Sequence, residues 1–277
     1  MELPDIQGKI FPGCGRCIYC GSTGGTDGLR SEHIIPFSLG GKTEIQQASC
    51  KECERVTSYL DGYLSRHTYY EYRAHAGTQT RNPKERPTAF PAHIVINGQE
   101  EIRSFPTADH PYYLAMPVWG LPGILRGDIP TEVFSIQKAH IYSYIPDTLR
   151  ENLQISEDMS LQVRGMGRIN HSTFARALAK IAYCHAILVY GFNGFRKMAT
   201  AKLILGQYPY VPHFVGCELK DPPPPEPAGR LHWVDFRTVQ YGRFNLIVGS
   251  IRLFAHSGTK EAGMPIYRVV VGAPKLK

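Results

Sequence analysis

The chain has 277 residues with a formal net charge of +7; 43% of residues are hydrophobic and 20% are charged. That balance is ordinary for a soluble globular protein, and the length allows one large or two modest domains with a substantial buried core. No apolar run is long enough for a membrane span. The start, Met1-Glu-Leu-Pro-Asp5, lacks the basic end and apolar stretch of a signal peptide, so a cytoplasmic, reducing location is expected.

Seven cysteines in a reducing compartment point to metal rather than disulfides when they come in close pairs. Two such pairs occur, Cys17-Ile-Tyr-Cys20 and Cys50-Lys-Glu-Cys53, with Cys14 as an alternative partner for Cys17. Thiolates two residues apart grip one side of a tetrahedral Zn²⁺, and a second pair closes it. Four sulfur ligands leave no open position, so the implied zinc is structural. The 29 residues between Cys20 and Cys50 exceed a plain zinc ribbon and carry Ser31-Glu32-His33-Ile34-Ile35-Pro36, then Gly40-Gly41. In an extended segment Glu32 and His33 point to opposite sides, so each needs a partner from elsewhere. The glycine pair lets the chain reverse before the second knuckle.

This order of motifs, over about residues 14–75, resembles the HNH nuclease family with its ββα-metal fold. The resemblance implies metal-dependent hydrolysis of phosphodiester bonds in DNA, with RNA not excluded. It implies His33 as the general base that activates water, a role for which a neutral imidazole near pH 7 is suited. It implies Glu32 as a ligand of a catalytic Mg²⁺ or Mn²⁺, and places Glu54 at the helix position that completes that site. The family usually has Asn or His there, though a carboxylate is also a hard ligand. The family's middle Asn is missing from Thr43–Ser49, where Gln46 or Gln47 is the expected substitute. A rival reading is a zinc-stabilised nucleic-acid-binding or regulatory protein that keeps the fold without cleavage.

Beyond the second knuckle, Val56, Tyr59, Leu60, Tyr63 and Leu64 recur at helical spacing and predict one helix over 51–75, carrying Arg55, Arg66 and Arg73. The polar, proline-bounded stretch Arg81–Pro87 predicts a boundary between a module over 1–80 and a second domain over 88–277. His93-Ile-Val-Ile96 before Asn97-Gly98 predicts a hairpin. Val133–Ile136 and Leu161–Val163 read as strands. A long helix is expected from about Ser172 to Tyr190, capped by Ser172 or Thr173 and stopped by Gly191. Its buried stripe would be Phe174, Leu178, Ile181, Ala182, Leu188 and Val189, with Arg176 and Lys180 on the opposite face. His185, Cys184 and Cys217 read as core residues. A short helix is expected over Phe195–Leu205, an exposed loop at Asp221–Pro227, and strands near 245–248, 251–254 and 267–271. The fold class is therefore α+β: a zinc-stapled ββα module followed by a mixed, β-rich domain with one long helix.

The charge is unevenly spread. Residues 1–77 hold eight Lys/Arg and nine Asp/Glu, whereas residues 161–220 hold eight Lys/Arg and one Glu. The downstream segment is thus where a phosphate backbone would be held, with Arg164, Arg168, Arg176, Lys180, Arg196 and Lys197 as candidate contacts.

Overall fold

The computed structural model describes residues 8–78, 84, 87–156, 158–164, 169–219, 231–242, 244–255 and 264–275. The proline run Asp221–Pro227, Arg168 and most of the expected boundary Arg81–Pro87 lie outside the described residues.

The N-terminal part begins with β1 (Ile10–Phe11), β2 (Arg30–His33) and β3 (Glu44–Ser49), which form a three-stranded sheet in the order β1-β3-β2. β2 and β3 are antiparallel. Cys50 begins α1 (Lys51–Tyr63), whose first turn carries Glu52 and Glu54, where carboxylates complement the helix dipole. The expected helix over 51–75 is interrupted: a wide helical turn over Leu64–Thr68 precedes α2 (Tyr70–His75). Tyr69 is thereby driven inward, edge-on to Phe174 and Phe254, whereas Tyr59, expected inside, is 57% exposed.

The remaining elements form three further sheets. β4 (Ala89–Ile96) and β5 (Gln99–Pro106) make the predicted two-residue hairpin, with Asn97 and Gly98 both at positive φ. β6 (Tyr112–Val118) is followed by the short helix α3 (Gly123–Arg126) and pairs with β7 (Lys138–Tyr144). Val133–Ile136 contains no strand. α4 (Asp147–Asn152) precedes β8 (Leu161–Arg164), which adds to β4. Ala92, Ile94, Phe105, Leu149 and Leu161 make a small separate core there.

The long helix α5 spans His171–Tyr190 and ends at Gly191. Asn170, rather than Ser172 or Thr173, is its cap: the Asn170 side chain accepts a hydrogen bond from the Thr173 N–H at 2.9 Å. The segment expected as one short helix divides into β9 (Phe195–Lys197) and α6 (Thr200–Ile204). α7 (Val211–Phe214) leads into β10 (Val215–Glu218). β11 (Trp233–Tyr241), β12 (Phe244–Arg252) and β13 (Ile266–Pro274) complete a sheet ordered β10-β13-β12-β11, with β9 pairing to β13. β12 runs straight through the region read as two strands. Gly249 within it permits close approach to α5, because an added Cβ would lie 3.2 Å from Ala182 Cβ.

α5 is the centre of the molecule. From Thr173 to Ile187 every residue except Arg176 is buried. One side meets α1 and the other β10, β12 and β13. A single apolar core therefore runs from Cys17, Ile18 and Ile45 through Phe174 and Leu178 to Val269 and Val271. Polar side chains tie the same parts together. The Tyr183 hydroxyl donates to the Ile18 carbonyl at 2.6 Å, and Tyr19 stacks on Tyr183 beside Cys184.

His232 is a second tie. Its Nε2–H donates to the Leu39 carbonyl at 2.7 Å, and its Nδ1 accepts from the Phe254 N–H at 3.3 Å. Burial depresses its pKa to about 4. A neutral His in the native state resists protonation that the unfolded chain accepts below about pH 6.5. This contribution is therefore complete above that pH and is lost as pH falls through about 4. His232→Gln keeps a donor and an acceptor without titrating. Urea denaturation at pH 7 and pH 4 should show wild type losing on the order of 3 kcal/mol more than the variant over that window. Equal losses would contradict the assignment, and zinc release at low pH would affect both proteins alike.

Candidate active site and zinc centre

Cys17, Cys20, Cys50 and Cys53 bring their sulfur atoms within 4.8 Å of one another, and only Cys20 is exposed. The Cys20 and Cys50 sulfurs are 3.6 Å apart, close to the edge of about 3.8 Å expected for a tetrahedron with Zn–S near 2.3 Å. The first knuckle is shaped by Gly21 at φ 81°, whose N–H donates to the Cys17 carbonyl at 2.9 Å. β3 and α1 fix the second knuckle. Cys14 is exposed and stands apart, its thiol donating to the Arg16 carbonyl.

The thiols show why this group suits a cation. Burial works against ionising Cys17, but backbone N–H groups of Cys20 and Cys50 turn the balance, and its pKa lies below the ordinary value. Burial pushes Cys50 up to about 11. Cys53 is raised further by burial and by the charge of Cys17. Four crowded sulfurs cannot all be thiolates without a positive ion between them, and a dication removes that conflict.

Glu32 and His33 lie on β2 and face opposite ways, as an extended segment requires. His33 is half-buried. Its Nε2 stands 3.6 Å from Oε2 of Glu44, its register partner across β3, and its ring meets Phe37 edge-on. Glu44 is thus the β3 side chain that the strand register places beside the histidine. The signal available in the sequence was its place just after the glycine turn, opposite the Glu-His pair in any short hairpin.

Glu32 points inward and is 4% exposed. Its Oε2 accepts from the Thr57 hydroxyl at 3.0 Å, and its Oε1 is 2.8 Å from the ammonium of Lys180, which is 0% exposed. The same ammonium lies 3.0 Å from both carboxylate oxygens of Asp61 and also donates to the His33 carbonyl. Burial alone would lower the pKa of Lys180, but Asp61 and Glu32 outweigh it and the net shift is upward.

Glu54 is half-buried in the first turn of α1. Among the described residues, its carboxylate does not gather with Glu32 and His33 into a group of ligand atoms within 4.8 Å; the cysteine quartet is such a group. The arrangement around Glu32 does not fit a divalent cation, because an ammonium already sits against its carboxylate and would repel one.

Among the described basic candidates, Lys180 and Arg176 are engaged inside the fold. Lys180 faces inward, which corrects its placement as a phosphate contact. Arg176 likewise turns back on the fold, its Nε and Nη2 donating to the Ile204 carbonyl at 3.2 and 2.8 Å. Lys197 is half-buried with its ammonium 3.0 Å from the centre of the Phe192 ring. Arg164 is exposed at the small sheet and pairs with Glu100, and Arg196 is exposed on β9. The helical pattern alone could not foresee this, because α5 is enclosed on nearly all sides.

With this geometry in view, comparison with known proteins gives one match. Residues 17–69 match the HNH endonuclease family. The matched segment starts at the first zinc cysteine, ends just before α2, and contains Glu32, His33, Glu44 and Glu54. Neither the curated proteins nor the solved structures yield a match. The HNH module supports a nuclease-type function and a nucleic-acid substrate. No helix among the described residues is long and apolar enough to cross a membrane.

The quartet predicts one tightly held Zn²⁺ per chain. Cys50→Ser should abolish stoichiometric zinc by metal analysis and unfold the module, seen as lost protection of the α1 amides in hydrogen exchange. Purified, never-chelated wild type without zinc would contradict the centre.

Proposed function

We propose that this protein is an endonuclease that hydrolyses phosphodiester bonds in DNA through the HNH module over residues 1–80, with residues 88–277 supporting it. The observation that carries the reading is the match over residues 17–69, whose Glu-His pair and zinc quartet occur in ββα order. In this reading His33 takes a proton from the attacking water. A new oxygen–phosphorus bond forms, the ester bond opposite it breaks, and the departing oxygen is protonated from solvent. Glu44 beside Nε2 supports the base, since a nearby carboxylate stabilises the imidazolium that forms. Arg164 and Arg196, both exposed, are the remaining proposed phosphate contacts. A divalent ion on Glu32 has no part in this proposal, given the ammonium already on its carboxylate.

A second reading, a zinc-stapled nucleic-acid-binding module without cleavage, is favoured by the same Lys180–Glu32 pair. Nicking of supercoiled plasmid separates the two, run with Mg²⁺, with Mn²⁺ and with a chelator that leaves the zinc in place. His33→Ala should keep the zinc and the fold while lowering nicking by about 10²–10⁴-fold, the scale of a lost general base. Wild-type rates from His33→Ala would show that the base lies elsewhere. Binding without nicking under every condition would support the second reading.

A further inference from the structure

We propose that the Lys180 ammonium is the resident cation of the HNH module, standing on the Glu32 carboxylate in place of a divalent metal ion. The inference rests on reading Glu32-His33 as the HNH pair. It identifies what neutralises that pair's carboxylate, and the answer comes from outside the matched segment.

The surroundings of Lys180 resemble the oxygen shell of a bound cation. Glu32 Oε1 lies at 2.8 Å, the two Asp61 oxygens at 3.0 Å and the Ile34 carbonyl at 3.5 Å, with the His33 carbonyl as a further close acceptor. The second oxygen of Glu32 is held by Thr57. A divalent ion approaching Glu32 would have to displace one of these partners while standing beside an unscreened ammonium. Lys180 cannot simply withdraw, because its side chain is 0% exposed on a helix enclosed by α1 and the large sheet. Moving it would leave a buried charge without acceptors, a costly state.

Two consequences follow. The module is completed by α5, whose Lys180 brings to Glu32 a positive charge from outside residues 17–69. Divalent ions in a reaction mixture act, where they act, somewhere other than the Glu32 carboxylate. Lys180 is a positioning residue: through the His33 carbonyl it holds the backbone of the strand end that presents the imidazole.

The test is a Mn²⁺ titration of the zinc-loaded full chain, wild type and Lys180→Met. Free Mn²⁺ is counted by electron paramagnetic resonance, and broadening of the Thr57 amide signal is followed by nuclear magnetic resonance. Wild type should take up no stoichiometric Mn²⁺ at Glu32, and the Thr57 signal should keep its width relative to distant amides. Lys180→Met, with its carboxylates uncovered, should bind Mn²⁺ at least about tenfold more tightly than wild type and broaden Thr57. One Mn²⁺ per wild-type chain with selective broadening at Thr57 would overturn the proposal. So would a folded Lys180→Met that gains no Mn²⁺ affinity. If Lys180→Met does not fold, the wild-type arm decides, because an ion on Glu32 would lie beside Thr57 in either protein. No arm reads cleavage, so failure to nick DNA would count against the nuclease reading and leave this outcome standing.

Discussion

The contact on which the rest of this structure depends is one buried ammonium between two carboxylates. Lys180 reaches from the middle of the central helix to Glu32 on the second strand and Asp61 on the first long helix. Neither the lysine nor Glu32 has meaningful access to water. A buried ion pair of this kind is weak evidence for added stability, since desolvation offsets much of the attraction. Its effect is on specificity: any arrangement that separates the three leaves a charge in an apolar interior. The strand bearing His33 is therefore registered against the central helix by electrostatics as well as by apolar packing.

The zinc quartet and this ion triad divide the work of holding a small module. Short modules commonly rely on metal because a small chain buries little apolar area of its own. The quartet closes the module at the N-terminal end of α1, and the triad holds Asp61 near the C-terminal end of the same helix. His232, bound to the Leu39 carbonyl next to the glycine turn, adds a third attachment from the C-terminal sheet. The HNH module and the remainder share one core, and Glu32 of the N-terminal segment is paired with Lys180 far downstream in the chain.

Much of this was legible in the amino-acid sequence where local chemistry is decisive. Paired cysteines two apart announce metal, Asn97-Gly98 announces a tight hairpin, and Gly191 marks the end of a long helix. What escaped was tertiary. The periodicity of α5 assigns Arg176 and Lys180 to an outward face, but this helix has partners all round, so the lysine finds carboxylates and the arginine finds a carbonyl. The wide turn at Leu64–Thr68 has no composition signal, since a continued helix satisfies the same local preferences. Gly249-Ser250 reads as a break between strands, yet the glycine is there to let Ala182 approach. Glu44 went unnoticed because its importance comes from strand register.

A double-mutant cycle measures the coupling between Lys180 and Glu32 directly. Urea denaturation of zinc-loaded wild type, Glu32→Gln, Lys180→Met and the double variant gives the interaction free energy. Lys180→Met, which strands the buried Glu32 carboxylate, should cost about 3–5 kcal/mol, and Glu32→Gln, which leaves Lys180 paired with Asp61, should cost less. The double variant should recover at least about 2 kcal/mol relative to the sum of the singles, within the range for residues in one network. Additive losses would mean that Lys180 and Glu32 are buried side by side without depending on each other.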